Sequence, residues 1–142
     1  MSAQDKAVVS VVAALMFRDR RLLVCQRRAG GSFPLKWEFP GGKVEKGESD
    51  IEALRRELRE ELAVDVRQAE LYCQYEHSYP SGPTVSLRFY DVSEFDGEPQ
   101  NFIFQQISWA AIGELERFDF LEGDRPVIAR LMADYSPVQA GR

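Results

Sequence analysis

The chain has 142 residues, 44% of them apolar and 29% charged, with 18 lysines and arginines against 23 acidic residues. That length suits one domain, spanning 1–142, with a real hydrophobic core. A net charge of −5 argues against wrapping polymeric nucleic acid, which wants a basic face, but leaves room for a small anion whose charge a metal neutralises.

The N-terminal run KAVVSVVAALMF has the length of a signal-peptide core. It is followed by RDRR instead of a small-residue cleavage site, and its β-branched valines favour a buried strand. Residues 7 to 17 and 21 to 28 are predicted as two strands joined at RDR in a hairpin. The stretch RRAGGSFPLKWEFPGGKVEKGE is rich in glycine and is predicted to be largely loop. A helix is predicted from Ser49 to Leu62, opened by a capping box of Ser49 with Glu52. Ile51, Leu54, Leu58 and Leu62 form its buried stripe.

After AVDVRQAE, the runs LYCQYEHSY and TVSLRFYDVSEF, separated by PSGP, predict a second hairpin that ends at DGEP. FQQISW predicts a further strand and SWAAIGEL a short helix. DRPVIARLMADY predicts a closing helix with Asp124 a candidate N-cap and Pro126 in the first turn. The tail SPVQAGR is expected to be disordered. This order of elements implies a mixed α/β (α+β) layer without an internal linker. No run reaches the ~18 apolar residues of a membrane helix. Cys25 and Cys73 lie far apart and His77 is the only histidine, so a tetrahedral zinc site is not expected. Free thiols suit a reducing cytoplasm.

Within the central helix, Glu57, Glu60 and Glu61 share one face about 100° wide, beside the leucine stripe. Like charges at this spacing cost a helix some tenths of a kcal/mol. Two readings remain: a solvated face screened by arginines, or a seat for a hard cation, which takes carboxylate oxygens, waters and substrate phosphates. The preceding FPGGKVEKGE adds glycines able to approach a ligand closely and Glu48 at the helix entrance. Arg56 is four residues before Glu60 and in reach of it.

Residues 42 to 64 resemble the Nudix box, G-x5-E-x7-R-E-U-x-E-E-x-G-U with U aliphatic. Gly42, Glu48, Arg56, Glu57, Leu58, Glu60, Glu61 and Val64 match in register. Ala63 stands where the pattern has glycine, which is expected to shift a turn and leave the chemistry intact. The flanking QRRAGGSFPLKWEFPGGKVE and PVIARL are similar to the MutT branch of that family. The resemblance implies a mixed sheet between helices and a magnesium-dependent enzyme, with manganese a substitute. Its reaction is attack of water on a nucleoside triphosphate, giving monophosphate and pyrophosphate.

The same resemblance assigns metal ligation to Glu57, Glu60 and Glu61 with the Gly41 carbonyl, with Glu57 or Glu60 the proton acceptor. Arg56 and Glu48 would hold those carboxylates. Substrate contacts fall to Arg28, Glu38, Phe39, Pro40, Gly41 and Asp124. An ionised Asp124 only accepts hydrogen bonds, which favours a base presenting donors. That leaves oxidised guanine and cytosine nucleotides as the alternatives. Many MutT-like enzymes carry a further acid in a late loop; Ile103 stands there, with Glu98 a possible substitute. Rival readings are hydrolysis of ADP-ribose or a nucleotide sugar, and a binding module that lost turnover. The expected partner is a small nucleotide, without membrane or polymeric nucleic acid, for a cytoplasmic monomer or homodimer. His77 is expected to be structural, Trp37 and Trp109 to pack.

Overall fold

The computed structural model describes residues 8–135; the C-terminal tail expected to be disordered lies outside them. The elements run β1 (Val8–Arg18), β2 (Arg21–Gln26), β3 (Trp37–Glu38), β4 (Gly41–Lys43), α1 (Asp50–Leu62), β5 (Asp65–Ser78), β6 (Thr84–Asp96) and β7 (Gln106–Ala111). A 3-10 helix (Ile112–Arg117), a 3-10 turn (Glu122–Asp124) and α2 (Arg125–Asp134) complete the chain.

β1 and β2 form the predicted hairpin, with Phe17 opposite Leu22. Asp19 and Arg20 between them have φ of 53° and 64°, the left-handed pair whose twist matches antiparallel strands. Beyond the turn the strands part. β1 runs parallel to β6 from Val8 to Met16 and antiparallel to β4, Ala13 facing Gly41. β5 closes that leaf against β6. β2 carries β3 and β7 on its two edges. The result is a mixed sheet opening into two leaves from one hairpin.

Helices cover both faces. Val12, Ala14 and Met16 of β1 pack with Ala53, Leu54, Leu58 and Leu62 of α1. Ala13 and Leu15 point the other way, into a cluster with Val127, Ile128 and Leu131 of α2. Burial on both faces explains why β1 is an unbroken apolar run in place of an alternating one. Each fully buried leucine adds roughly 1.5–3 kcal/mol.

Four expectations change. The glycine-rich stretch contains β3 and β4, because Gly41 and Gly42 let the chain lie against β1 as a strand. β5 begins at Asp65, inside the segment read as preceding it. SWAAIGEL is strand through Ala111, then 3-10 helix. Ala63 leaves the turn in place: it takes the left-handed conformation itself, φ 58° and ψ 38°, and its N–H donates to the Arg59 carbonyl.

Candidate active site

α1 starts at the predicted capping box. Glu52 N–H donates to Ser49 Oγ at 3.1 Å, and Ser49 N–H donates to the Glu52 carboxylate at 2.8 Å. Asp50 then accepts from Arg88 at 2.7 and 2.9 Å and from the Tyr90 hydroxyl at 2.7 Å. The helix entrance is thereby fixed to β6, and the acidic face of α1 is turned toward β4.

Arg56 organises that face. Its guanidinium donates to both oxygens of Glu48, at 2.7 and 2.9 Å, and to Glu57 at 3.1 Å. It also reaches Glu60 at 3.4 Å and the Lys43 carbonyl at 3.0 Å. Hydrogen bonds from Arg56, then from the Glu45 backbone N–H, hold the Glu48 carboxyl down at about 2. The guanidinium pKa itself is raised, chiefly by Glu48. Sequence spacing paired Arg56 with Glu60; its principal partners are Glu48 and Glu57.

Glu57 lies directly over Gly42, where a Cβ would collide with its carboxylate. Gly41 in turn presses on β1, where a Cβ would meet the Val12 carbonyl. Two glycines are thus required by close approach. Glu61 is buried and accepts the Gly41 N–H at 3.2 Å. Burial, then the charge of Glu57, push Glu61 well above the usual carboxylate range, and its carboxyl bonds to Glu57. Burial raises Glu57 as well. Two carboxylates forced together out of water hold a proton between them unless a cation replaces it.

The structure brings together Glu57, Glu61 and the Gly41–Gly42 strand. Glu60 stands apart, 61% exposed and touching Arg56 alone among these groups. Among the described residues no three His, Cys, Asp or Glu side chains converge as a ready metal cage. The donor set of two facing glutamates with a third at the rim still fits magnesium, which uses few carboxylates and keeps waters and phosphate oxygens.

From Glu61 a cleft of about 380 Å³ extends to Asp124, lined also by Arg27, Glu38, Phe39 and Tyr79. Asp124 is 6% exposed. It occupies the residue before α2, but with φ −91° and ψ −8° its side chain makes no capping bond. The N-cap reading is therefore corrected: the carboxyl lies in the cleft, with the Phe39 backbone N–H as a hydrogen-bond partner. Burial, then the charge of Glu38, raise its pKa well above the usual range. Glu38 is also raised by burial, opposed by its bond to Arg27 at 3.0 Å.

Other expected contacts lie elsewhere. Arg28 is not on the cleft wall; its Nε donates to the Ile103 carbonyl at 2.6 Å. Pro40 is buried and accepts from the Ala14 N–H. Ile103 does line the cleft, where an acid was absent from the sequence. Glu98 does not replace it, being paired with Arg18 at 2.7 and 2.9 Å. Trp37 packs on Phe118, and Trp109 lies under Arg18. His77 packs edge-on against Tyr79. The sequence reading missed Arg27, Phe33 and Tyr79; the one signal was an aromatic in each of two turn segments, SFP and SYPSG.

Residues 7–131 match the model of the NUDIX domain. The chain belongs to the Nudix family. This Nudix protein is 35% identical over 129 residues to an 8-oxo-dGTP diphosphatase of Haemophilus influenzae, covering 90% of this chain and 94% of that one. It is 35% identical over 126 residues to a CTP pyrophosphohydrolase of Escherichia coli, covering 89% and 93%. The solution structure of the E. coli ORF135 protein superposes with a TM-score of 0.83 at 33% identity, over 94% of each chain. A MutT structure from work on Aliivibrio salmonicida and Vibrio cholerae gives 0.79 at 31%, over 90% of this chain and 99% of that one. Nudix hydrolases generally need a divalent metal.

Proposed function

We propose that this Nudix hydrolase is a magnesium-dependent nucleoside triphosphate pyrophosphohydrolase acting on 8-oxo-dGTP or on cytosine nucleotides. The observation that carries the reading is the continuity of one cleft running from Glu61, which faces Glu57, past Glu38 to Asp124. The first end has the donors for a phosphate-bound cation and the second has hydrogen-bonding groups for a base. Relatives named for 8-oxo-dGTP and for CTP hydrolysis support the same substrate class.

Glu57, Glu61 and the Gly41 carbonyl would hold magnesium, with Glu60 joining from the rim after leaving its long contact with Arg56. When bound, the ion neutralises phosphate charge and lowers the pKa of a coordinated water. Arg56 keeps the Glu57 carboxylate oriented and shares its charge with Glu48. A glutamate oxygen of Glu57 or Glu60 takes the proton of the attacking water. The P–O bond to the departing pyrophosphate breaks as the new bond forms, leaving the monophosphate in the cleft.

Asp124 sharpens the base question. Burial, then the charge of Glu38, favour its protonated form; in that form it donates one hydrogen bond as well as accepting, so its preference extends beyond bases that present donors. The protein is incubated with magnesium and 8-oxo-dGTP, dGTP, CTP, dCTP or ADP-ribose, and released monophosphate and pyrophosphate are measured. Turnover of 8-oxo-dGTP or a cytosine nucleotide is expected; ADP-ribose as the only substrate overturns the reading. Binding without turnover would favour a nucleotide-binding module, for which Ile103 in the late loop is the one supporting observation. Two free buried thiols suit a reducing cytoplasm, where we place the protein as a monomer or homodimer of one Nudix domain.

A further inference from the structure

At the mouth of the cleft stands a ring that the chemistry above does not use. Phe33, in the loop between β2 and β3, lines the cleft beside Tyr79 while remaining 45% exposed. The two rings are 5.0 Å apart between centroids and tilted by 50°. Phe33 has φ of 49°, a left-handed conformation that a bulky residue adopts only when its surroundings impose it. Here they do. Arg27 donates from Nε to the Ser32 carbonyl and from Nη2 to Ser32 Oγ, both at 2.9 Å, and the Lys36 N–H reaches the Phe33 carbonyl. The same guanidinium holds Glu38. An apolar ring is thus kept in the open, by the residue that positions a cleft carboxylate.

Tyr79 is fixed as firmly. Its hydroxyl accepts the Gly123 N–H at 3.2 Å, next to Asp124, and His77 packs edge-on against its ring at 4.3 Å. Tyr75 supports the same turn, donating to the Gly123 carbonyl at 2.6 Å and accepting the Val127 N–H at 3.2 Å. A Cβ on Gly123 would come within 2.7 Å of the Tyr79 hydroxyl, so the turn and the ring are fitted to each other.

We propose that Phe33 and Tyr79 form an aromatic wall on which the nucleotide base stacks, and that the Tyr79 hydroxyl positions Asp124 for the base edge. Phosphates gain nothing from an apolar ring face, whereas every base has a π face to offer it. At 5.0 Å the rings leave no slot between them, so the base lies against the pair and not inside it. Val85, Leu87 and Leu121 continue the apolar lining. The proposal rests on the base occupying the Asp124 end of the cleft.

The test is calorimetric binding, with magnesium, of CMP, dGMP, 8-oxo-dGMP and inorganic triphosphate to the wild type and to Phe33→Ala, Phe33→Leu, Tyr79→Phe and Asp124→Asn. Thermal melts check that each variant folds. Phe33→Ala is expected to weaken the nucleotides about 10-fold, in line with one lost base–aromatic stack, and to leave inorganic triphosphate within about twofold. Phe33→Leu restores bulk without a π face and recovers less than half of the loss. Tyr79→Phe keeps the ring and changes the ratio of CMP to 8-oxo-dGMP affinity in the same direction as Asp124→Asn. Equal weakening of inorganic triphosphate by Phe33→Ala overturns the wall. If Asp124→Asn alters base preference while Phe33→Ala is silent, the wall falls and the base site stands. If both are silent, the base site falls with it.

Discussion

Glu61 is the residue whose surroundings are least compatible with an idle role. It is 8% exposed, faces Glu57, and accepts a backbone N–H from Gly41. A structural acid in that position would normally be balanced by a basic partner, yet Arg56 makes its bonds to Glu48, Glu57 and Glu60 instead. Glu61→Gln keeps the shape and still donates to Glu57 through its amide, while removing the buried charge conflict. Hydrolysis should fall about 100-fold or more, the scale on which a transition-state charge stabiliser acts. The metal-free variant should melt no lower than the wild type. Near wild-type turnover in a folded Glu61→Gln protein would remove Glu61 from the chemistry. That its charge is buried was only partly legible. Helical spacing put it beside the leucine stripe, but the depth depends on Gly41 and Gly42 letting β4 close over α1, a contact between distant segments.

At the scale of elements, α1 contains two features that can be tested apart from catalysis. Ala63 ends it with φ 58°, a conformation costing a residue with a Cβ about 1–2 kcal/mol. Glycine relieves that strain but adds freedom to the unfolded chain. Ala63→Gly should therefore stabilise by a net of about 0.5–1 kcal/mol, read as a rise in melting temperature of roughly 2–4 °C at most. At the other end, Arg88 holds the Asp50 carboxyl below its ordinary value of 3.8. The unfolded chain binds that proton more tightly, so the stabilisation is complete above pH 3.8 and is lost as pH falls through the lower folded value. Urea melts should show wild type ahead of Asp50→Asn near pH 7, with the gap closing below about pH 4. A gap constant across that range would mean that the Asp50 charge contributes nothing. The helix and its cap were readable because their signals lie within one turn of chain. β3 and β4 were not, since two or three residues among glycines have no period, and only pairing with β2 and β1 makes them strands.

Across the whole molecule, charge and cleft have to be reconciled. The protein carries a net charge of −5, and the cleft's Arg27 is already paired with Glu38, so its field does not draw in a triphosphate. The mixed sheet between helices followed from the order of apolar runs and from the box. The division of the sheet into two leaves did not, because it depends on where β1 and β2 separate after their turn, and the cleft inherits that geometry. Nucleotide binding should accordingly require the divalent cation. A ligand that binds only the folded state stabilises it by RT ln(1 + [L]/Kd), about 2.7 kcal/mol at 100-fold excess over Kd, or several degrees in melting temperature. With magnesium and a non-hydrolysable nucleoside triphosphate, the wild type should show that rise. With a chelator and the same nucleotide it should show almost none, and Glu57→Gln should lose most of it even with magnesium present. A full nucleotide-induced rise in the chelated protein would place phosphate recognition on protein groups alone and remove the ion from the α1 carboxylates.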